Sequence, residues 1–181
     1  MQRPYIYKKV ILKPDKIIKR IIKAVGSGQS VLLVGKWQED LIKGIKEKQN
    51  SITIESSTES LEDNRFTRIV ADYSLPIFND EHFFFNEARR LLLPTGIIIV
   101  SANCMDGIFG KIMRVFKKDY IKEEGLKKIK PKILQDQIHD HGFLIDGYYG
   151  YPSGHLLMMA QIQNKEVTTL FTSEKQKTVA N

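Results

Sequence analysis

Residues 87–103 read EARRLLLPTGIIIVSAN, and this stretch decides the fold class. Its first part continues a helical pattern over 81–92, which the turn residues of LPTG at 93–96 bring to an end. Ile97–Val100 then supplies four consecutive aliphatic residues, all of them β-branched, and such residues favour strands. We therefore predict a helix followed by a strand that lies at the centre of a sheet.

The same alternation continues toward both ends of the chain. Isoleucines at three- and four-residue spacing between lysines predict an amphipathic helix, starting near Asp15 and stopped by Gly26 and Gly28. In chain order we predict a helix over 13–25, a strand over 31–34, a helix over 39–48 and strands over 51–55 and 66–71. After the central strand we predict helices over 108–116 and 131–139 and strands over 143–149 and 156–162.

These elements predict an α/β fold with three layers. Strands that alternate with helices form a mostly parallel sheet covered on both faces. The last two strands are separated only by the turn-rich segment 150–155, which predicts an antiparallel C-terminal hairpin. Ligands of such sheets bind at the carboxyl ends of the central strands.

Composition indicates one folded intracellular domain. The chain has 181 residues, 42% of them hydrophobic, and Cys104 is its one cysteine, so no internal disulfide can form. No apolar run is long enough to cross a bilayer, and a cytoplasmic location is the natural expectation. We divide the chain into a basic N-terminal segment and helix (1–30), an α/β domain (31–163) and a flexible tail (164–181).

Positive charge is concentrated in two segments. The formal net charge is +7, and the excess lies between Lys8 and Lys23 and between Lys111 and Lys132. Such segments can attract nucleic acid or anionic lipid, but lysine-rich helix faces more often only keep a protein soluble.

Three segments together resemble the class I, Rossmann-like S-adenosylmethionine-dependent methyltransferases. The stretch 87–103 is similar to the family's helix, Arg-x-Leu-x-Pro-Gly-Gly turn and fifth strand, with Thr95 replacing the first glycine. FTRIVADYSL (66–75) resembles the fourth strand, and HDHGFLIDGYYG (139–150) resembles the last helix, Gly-Phe turn and sixth strand. The resemblance implies S-adenosylmethionine as cofactor. Because residues 56–65 are too few for a helix and a strand, it also implies that one β-α unit is missing.

The resemblance places a cofactor loop at VLLVGKWQED, 31–40. Gly35 matches the first loop glycine, whereas Leu33 stands at the acidic position and Trp37 at the second glycine, where its side chain would fill the space that backbone and cofactor share. By the same resemblance, the cofactor-binding candidates are Gly35, Lys36, Trp37, Glu55, Asp72 and Tyr73.

Two of these candidates have alternative interpretations. If 51–55 is the family's second strand, Glu55 occupies the position that binds the ribose hydroxyls; if it is the third strand, that role vanishes. The β-α-β order favours the second strand. Asp72 and Tyr73 either line the floor of the pocket, or Asp72 simply caps the end of its strand.

Other motifs give weaker indications of function. Gly35 and Lys36 do not form a phosphate loop, because Ser30 and Trp37 replace the required glycine and hydroxyl. His139 and His141 suit a helix terminus better than a metal site. The aromatic group near the final hairpin could stack on a base, although packing at the sheet edge explains it more simply; its members are Tyr148, Tyr149, Tyr151 and His155.

Three functions follow as hypotheses. The first is a methyltransferase acting on a small-molecule or nucleic-acid acceptor, with no catalytic side chain identifiable from sequence. The second is a catalytically inactive protein of the same fold that serves as a binding module or partner subunit. The third is a nucleic-acid binder driven by the basic segments.

Overall fold

The computed structural model describes residues 10–11, 13–104, 129–151 and 154–163. The helix predicted over 108–116, most of the second basic segment and the C-terminal tail lie outside these residues. The helices are α1 (Asp15–Val25), α2 (Glu39–Lys46), α3 (Glu81–Leu91) and α4 (Pro131–Asp140), with a 3₁₀ helix at Pro76–Asn79. The strands are β1 (Val10–Ile11), β2 (Ser30–Val34), β3 (Lys36–Trp37), β4 (Ser51–Glu55), β5 (Phe66–Asp72), β6 (Leu92–Asn103), β7 (Phe143–Gly150) and β8 (His155–Ile162).

Six of the described strands form one sheet in the order β4-β2-β5-β6-β8-β7. The pairs from β4 through β6 are parallel, and the two pairs that involve β8 are antiparallel. β6 lies between β5 and β8, so Ile97–Val100 is at the interior of the sheet, as the β-branched run predicted. The fold is the predicted one, mostly parallel with an antiparallel C-terminal hairpin.

Helices cover both faces of the sheet. On one face α1 packs beside α2, with Ile22 of α1 directly against Gly44 of α2. On the other face α3 packs beside α4, where Arg89 of α3 donates to the carbonyl oxygens of His141 and Gly142. The apolar stripe of each helix is buried against the sheet, as in the set Ile17, Ile18, Ile21 and Val25 of α1.

The connection between β4 and β5 contains no helix or strand, in agreement with a missing β-α unit. Arg90 of α3 attaches this connection to the α3 helix. Its guanidinium donates to the carbonyl oxygens of Thr58 and Leu61 and forms ion pairs with Asp63 and Glu87. One side chain thereby fixes the loop that joins β4 to β5.

Two details differ from the sequence prediction. β6 begins at Leu92, directly after α3, because residues 92–96 continue as extended chain toward 97–103 and Leu92 pairs with Phe66 of β5. The parallel pair of β1 with β3 was not predicted, since strands of two residues have no periodicity to detect. Within the described ranges, no helix combines the length and the apolar character needed to cross a membrane.

Candidate functional site

The candidate site lies at the carboxyl ends of β2 and β5, the neighbouring strands at which ligands bind in sheets of this kind. Gly35 follows β2 and turns the chain sharply, with φ at +91°. Its amide donates to the carbonyl oxygen of Glu55 at 2.7 Å, which ties the turn to the end of β4. A glycine is required here because an L side chain rarely adopts this conformation.

Trp37 is buried, with 3% of its surface exposed. Its indole Nε1 donates to the carbonyl oxygen of Val34 at 3.0 Å, so the ring folds back on the end of β2. The side chain therefore packs beside the loop.

A short N-terminal strap, formed by Val10, Ile11 and Lys13, runs along the loop. Val10 pairs with Lys36 and Ile11 with Trp37 in the parallel β1–β3 ladder. Two bonds to Gln38 continue this attachment: its amide donates to the Ile11 carbonyl oxygen at 3.3 Å, and its Oε1 accepts from the Lys13 amide at 2.5 Å. The strap thus lies directly against the segment that would hold a cofactor.

Lys13 and Asp72 form an ion pair inside the protein. The Lys13 Nζ is 2.5 Å from Asp72 Oδ2, and the two side chains are 4% and 0% exposed. Ser101 Oγ donates to the same carboxylate oxygen at 2.5 Å. The second oxygen accepts from the Ser74 amide at 2.9 Å and from the Ser74 hydroxyl. Every carboxylate oxygen at the end of β5 is therefore engaged by this chain's own groups.

The charge of Asp72 depends on these contacts. Burial pushes the pKa of the Asp72 carboxyl upward, because a charge is poorly solvated inside a protein. The Lys13 ammonium and the hydrogen bonds from Lys13, Ser101 and Ser74 outweigh burial, so that the pKa lies below its ordinary value. Asp72 is consequently an ionised group whose counter-ion is Lys13.

Tyr73 does not join Asp72. Its ring packs on Phe78 with the centroids 4.8 Å apart, and its hydroxyl donates to Glu81 Oε1 at 2.9 Å. Burial and the neighbouring Glu81 carboxylate raise the pKa of the Tyr73 hydroxyl above its ordinary value. The side chain belongs to the core between the sheet and the α3 layer, away from the strap.

Lys36 and Glu55 are exposed to solvent. Glu55 ends β4, and β4 pairs directly with β2, as expected if it is the second strand of the β-α-β unit. Of the six predicted residues, the structure therefore places Gly35, Trp37 and Asp72 around the strap, leaves Lys36 and Glu55 at the surface, and turns Tyr73 away.

The described residues do not fit an adenosyl cofactor in this arrangement. A Cβ atom built on Gly35 would lie 2.9 Å from Leu75 Cδ2 and 3.1 Å from Ile11 Cδ1, so apolar side chains already fill the space beside the glycine backbone. Asp72 is occupied by Lys13, and Leu33 at the acidic position is fully buried. Close backbone approach is blocked here, and the Asp72 carboxylate is not free to bind a ligand; Glu55 is the carboxylate that remains exposed beside the turn.

Gly35→Ala should destabilise the fold by about 1–3 kcal/mol, since it adds a strained backbone conformation and a contact with Leu75. Gly28→Ala is the matched control: Gly28 has φ at +66°, but nothing lies within 4 Å of the added Cβ. Urea denaturation of both variants measures the difference. Equal losses would show that Leu75 and Ile11 do not press on the glycine.

Two of the remaining predicted residues, His141 and Tyr149, have structural partners. His141 Nδ1 lies 2.7 Å from the Gln137 carbonyl oxygen, and its Nε2 lies 2.8 Å from His82 Nδ1. Among the described residues, no group of three or more His, Cys, Asp or Glu side chains could hold a metal ion. Tyr149 packs against the core with the Arg20 guanidinium 4.0 Å above its ring, whereas Tyr148 is exposed.

Sequence reasoning missed the residues that close the site, which are Ile11, Lys13, Leu75 and Ser101. In the sequence, Lys13 is one of several lysines in a basic segment. Ser101 directly follows the β-branched run, and in the parallel register it is the residue opposite Asp72. Once this parallel register is assumed, Ser101 can be identified as a neighbour of Asp72.

A scan of family models finds no match for this chain, and no curated protein matches it by sequence. Solved structures do match. A Burkholderia thailandensis 1,6-didemethyltoxoflavin-N1-methyltransferase, solved with S-adenosylhomocysteine, is 13% identical with a TM-score of 0.62, covering 82% of this chain and 78% of its own. A SAM-dependent methyltransferase from Aquifex aeolicus is 14% identical with a TM-score of 0.56, covering 83% and 94%.

A third match comes from the complex of the Haloferax volcanii Trm112 methyltransferase activator with a putative methyltransferase. It is 10% identical with a TM-score of 0.50, and it covers 83% of this chain and 95% of the matched one. Identities this low establish the fold and nothing finer. Many S-adenosylmethionine-dependent methyltransferases share the architecture described above.

Proposed function

We propose that this chain, which has the Rossmann-like methyltransferase fold, is a catalytically inactive member of that structural class and acts as a binding module or partner subunit. The observation that carries the proposal is the buried Lys13–Asp72 ion pair beneath the strap. It puts a side chain of the protein where a ligand group would have to be.

The energetics support a closed site. Removing one partner of a buried ion pair leaves an uncompensated charge, which typically costs about 3–5 kcal/mol. A cofactor that displaced the strap would separate Lys13 from Asp72 and would also have to expel Ile11 from Gly35. Its binding energy would be spent on opening the protein before any contact of its own was made.

Methyl transfer depends on holding two reactants in line with water kept out. The described residues around Asp72 hold one another instead, and each polar group there already has its bond. A role that needs only the surface of the fold agrees with this packing. In the Haloferax complex, a putative methyltransferase is bound to a second protein, the Trm112 activator.

Titration calorimetry with S-adenosylmethionine and with S-adenosylhomocysteine tests the proposal. We expect no heat of binding and no shift in melting temperature at millimolar ligand. An active methyltransferase, titrated under the same conditions, is the positive control. Saturable binding of either compound to the intact chain would overturn the proposal.

One observation favours a second candidate, an S-adenosylmethionine-dependent methyltransferase with a small-molecule or nucleic-acid acceptor. Glu55 is exposed at the carboxyl end of β4, beside the Gly35 turn, where the family resemblance expects the ribose-binding carboxylate. In that case binding would be saturable, and Glu55→Gln would weaken it at least tenfold. Lys46→Gln, which removes an exposed charge from α2, is the control that should leave binding unchanged.

The nature of the partner follows from charge. A net charge of +7 favours an acidic partner, either nucleic acid or a protein, and a cytoplasmic location suits the single-cysteine composition. If nucleic acid is bound, its affinity falls steeply with salt because condensed counterions are released.

A further inference from the structure

We infer that β4 is a self-complementary edge through which two copies of this chain pair, joining their sheets into one. The inference concerns the surface of the sheet and does not depend on whether the site beneath the strap binds a cofactor. It begins with the missing β-α unit, which leaves β4 as the first strand in the order of the described sheet.

Among the described residues, no strand pairs with the outer side of β4. The Ser51 amide donates to the Gln29 carbonyl oxygen at 3.0 Å, and the Glu55 carbonyl oxygen accepts from the Gly35 amide at 2.7 Å, so both residues direct these groups toward β2. Residues of a parallel strand alternate between its two neighbours. Ile52 and Ile54 therefore direct their N–H and C=O groups outward, and no described strand pairs with that side.

The five residues of β4 carry few of the features that normally protect a sheet edge. It contains no lysine, proline or bulge, and Glu55 is its only charged residue. The opposite edge is different, because β7 has a register irregularity between Ile145 and Gly147 and carries Asp146 there. Of the two edges, β4 is the one that offers regular pairing over its full length.

The sequence of β4, SITIE, is palindromic in polarity about Thr53. An antiparallel pair centred on Thr53 places Ile52 opposite Ile54 of the second copy, and these are the residues whose backbone groups point outward. Glu55 then lies opposite Ser51, so that no like charges meet. This register pairs all five residues of each strand.

The same register covers apolar surface. Ile54 is 43% exposed, and Ile52 lies on the same face of the strand, next to Val31 of β2. A two-fold axis perpendicular to the sheet keeps this face on the same side in both copies, so Ile52 and Ile54 of each copy form one continuous apolar strip. Cross-strand pairs of β-branched residues of this kind stabilise a sheet.

The dimer should be weak and concentration-dependent, because two short strands bury far less than the roughly 1,200 Å² of a stable specific interface. Each copy carries a net charge of +7, so raised ionic strength should strengthen the pairing by screening repulsion. Sedimentation equilibrium of the full chain from micromolar to millimolar concentration measures both effects. A chain that stays monomeric at every concentration and salt would overturn the inference. That outcome includes the case in which residues 1–9, or a strand of another protein, cover this edge in place of a second copy.

Cysteine cross-linking tests the register itself. In an antiparallel pair centred on Thr53, the two Thr53 Cα atoms lie about 4.5 Å apart, within the range that a disulfide spans. With Cys104 replaced by Ala, Thr53→Cys should form disulfide-linked dimers under mild oxidation. Ser51→Cys is the matched control on the same strand, because the two Ser51 residues would lie at opposite ends of the pair.

Ile54→Lys tests the apolar strip, with Ile133→Lys as control because Ile133 is an isoleucine of α4 that is 46% exposed away from this edge. We expect Ile54→Lys to weaken dimerisation at least tenfold and the control to leave it unchanged, with circular dichroism verifying that both variants fold. Equal cross-linking of Thr53→Cys and Ser51→Cys, or equal behaviour of the two lysine variants, would show that β4 is not the contact.

Discussion

Replacing Lys13 with Met is expected to destabilise the fold by about 3–5 kcal/mol at neutral pH. Methionine keeps the length of the side chain but leaves the fully buried Asp72 carboxylate without its cation. Ser74 and Ser101 would still donate to it, but a hydrogen bond does not balance a buried charge. Urea denaturation gives the change in the free energy of unfolding.

Two further variants separate charge from packing. Lys16→Met, on the exposed side of the same segment, should change stability by less than about 0.5 kcal/mol. Adding Asp72→Asn to Lys13→Met should recover part of the loss, because no uncompensated charge remains. If the double variant is less stable than Lys13→Met alone, the ion pair is not the reason for the loss.

The loss should also depend on pH. In the unaltered protein the pKa of Asp72 lies below its ordinary value of about 4, so the stability contributed by its charge is present above that pH and is lost as pH falls through the folded-state pKa. Without Lys13 burial dominates and raises the pKa of Asp72, so protonation stabilises the variant as pH falls. The difference in unfolding free energy between the two proteins should therefore shrink in acid.

Replacing Trp37 with Ala is expected to cost about 3–5 kcal/mol, the usual range for a large aromatic side chain removed from a core. Trp37 is 3% exposed and pairs with Ile11 of the strap, so the change both opens a cavity and weakens the attachment of the strap to the loop. Urea denaturation followed by circular dichroism measures the loss.

Trp37→Phe is the companion variant. It keeps most of the apolar volume and removes only the bond from Nε1 to the Val34 carbonyl oxygen, so we expect a loss nearer 1 kcal/mol. If Trp37→Ala costs no more than Trp37→Phe, the indole is not packed into the loop as described.

Most of the sheet could be predicted because its signals are local. Residues 97–100 and 52–54 are β-branched runs, and both lie within strands. The isoleucine spacing of α1 predicted its buried face for the same reason. The short connection after Glu55 could be recognised as a missing unit by comparing its length with the helix and strand that the family resemblance implies there.

The closing of the site could not be predicted in this way. It depends on a contact between Lys13 and Asp72, which are far apart in sequence, and nothing local distinguishes Lys13 from the lysines around it. Trp37 was the one signal in the sequence, because a large side chain at a glycine position needs space beside the loop. The strap that pairs with it had no signal in the sequence.

Trp37 is the only tryptophan in the chain, and it lies between the strap and the end of β2. With excitation that selects tryptophan over the seven tyrosines, the emission of the whole protein therefore originates at this single residue, and its wavelength reports how well water is excluded from it. Any compound or protein that lifts the strap should shift the emission to the red, so opening can be followed without attaching a dye.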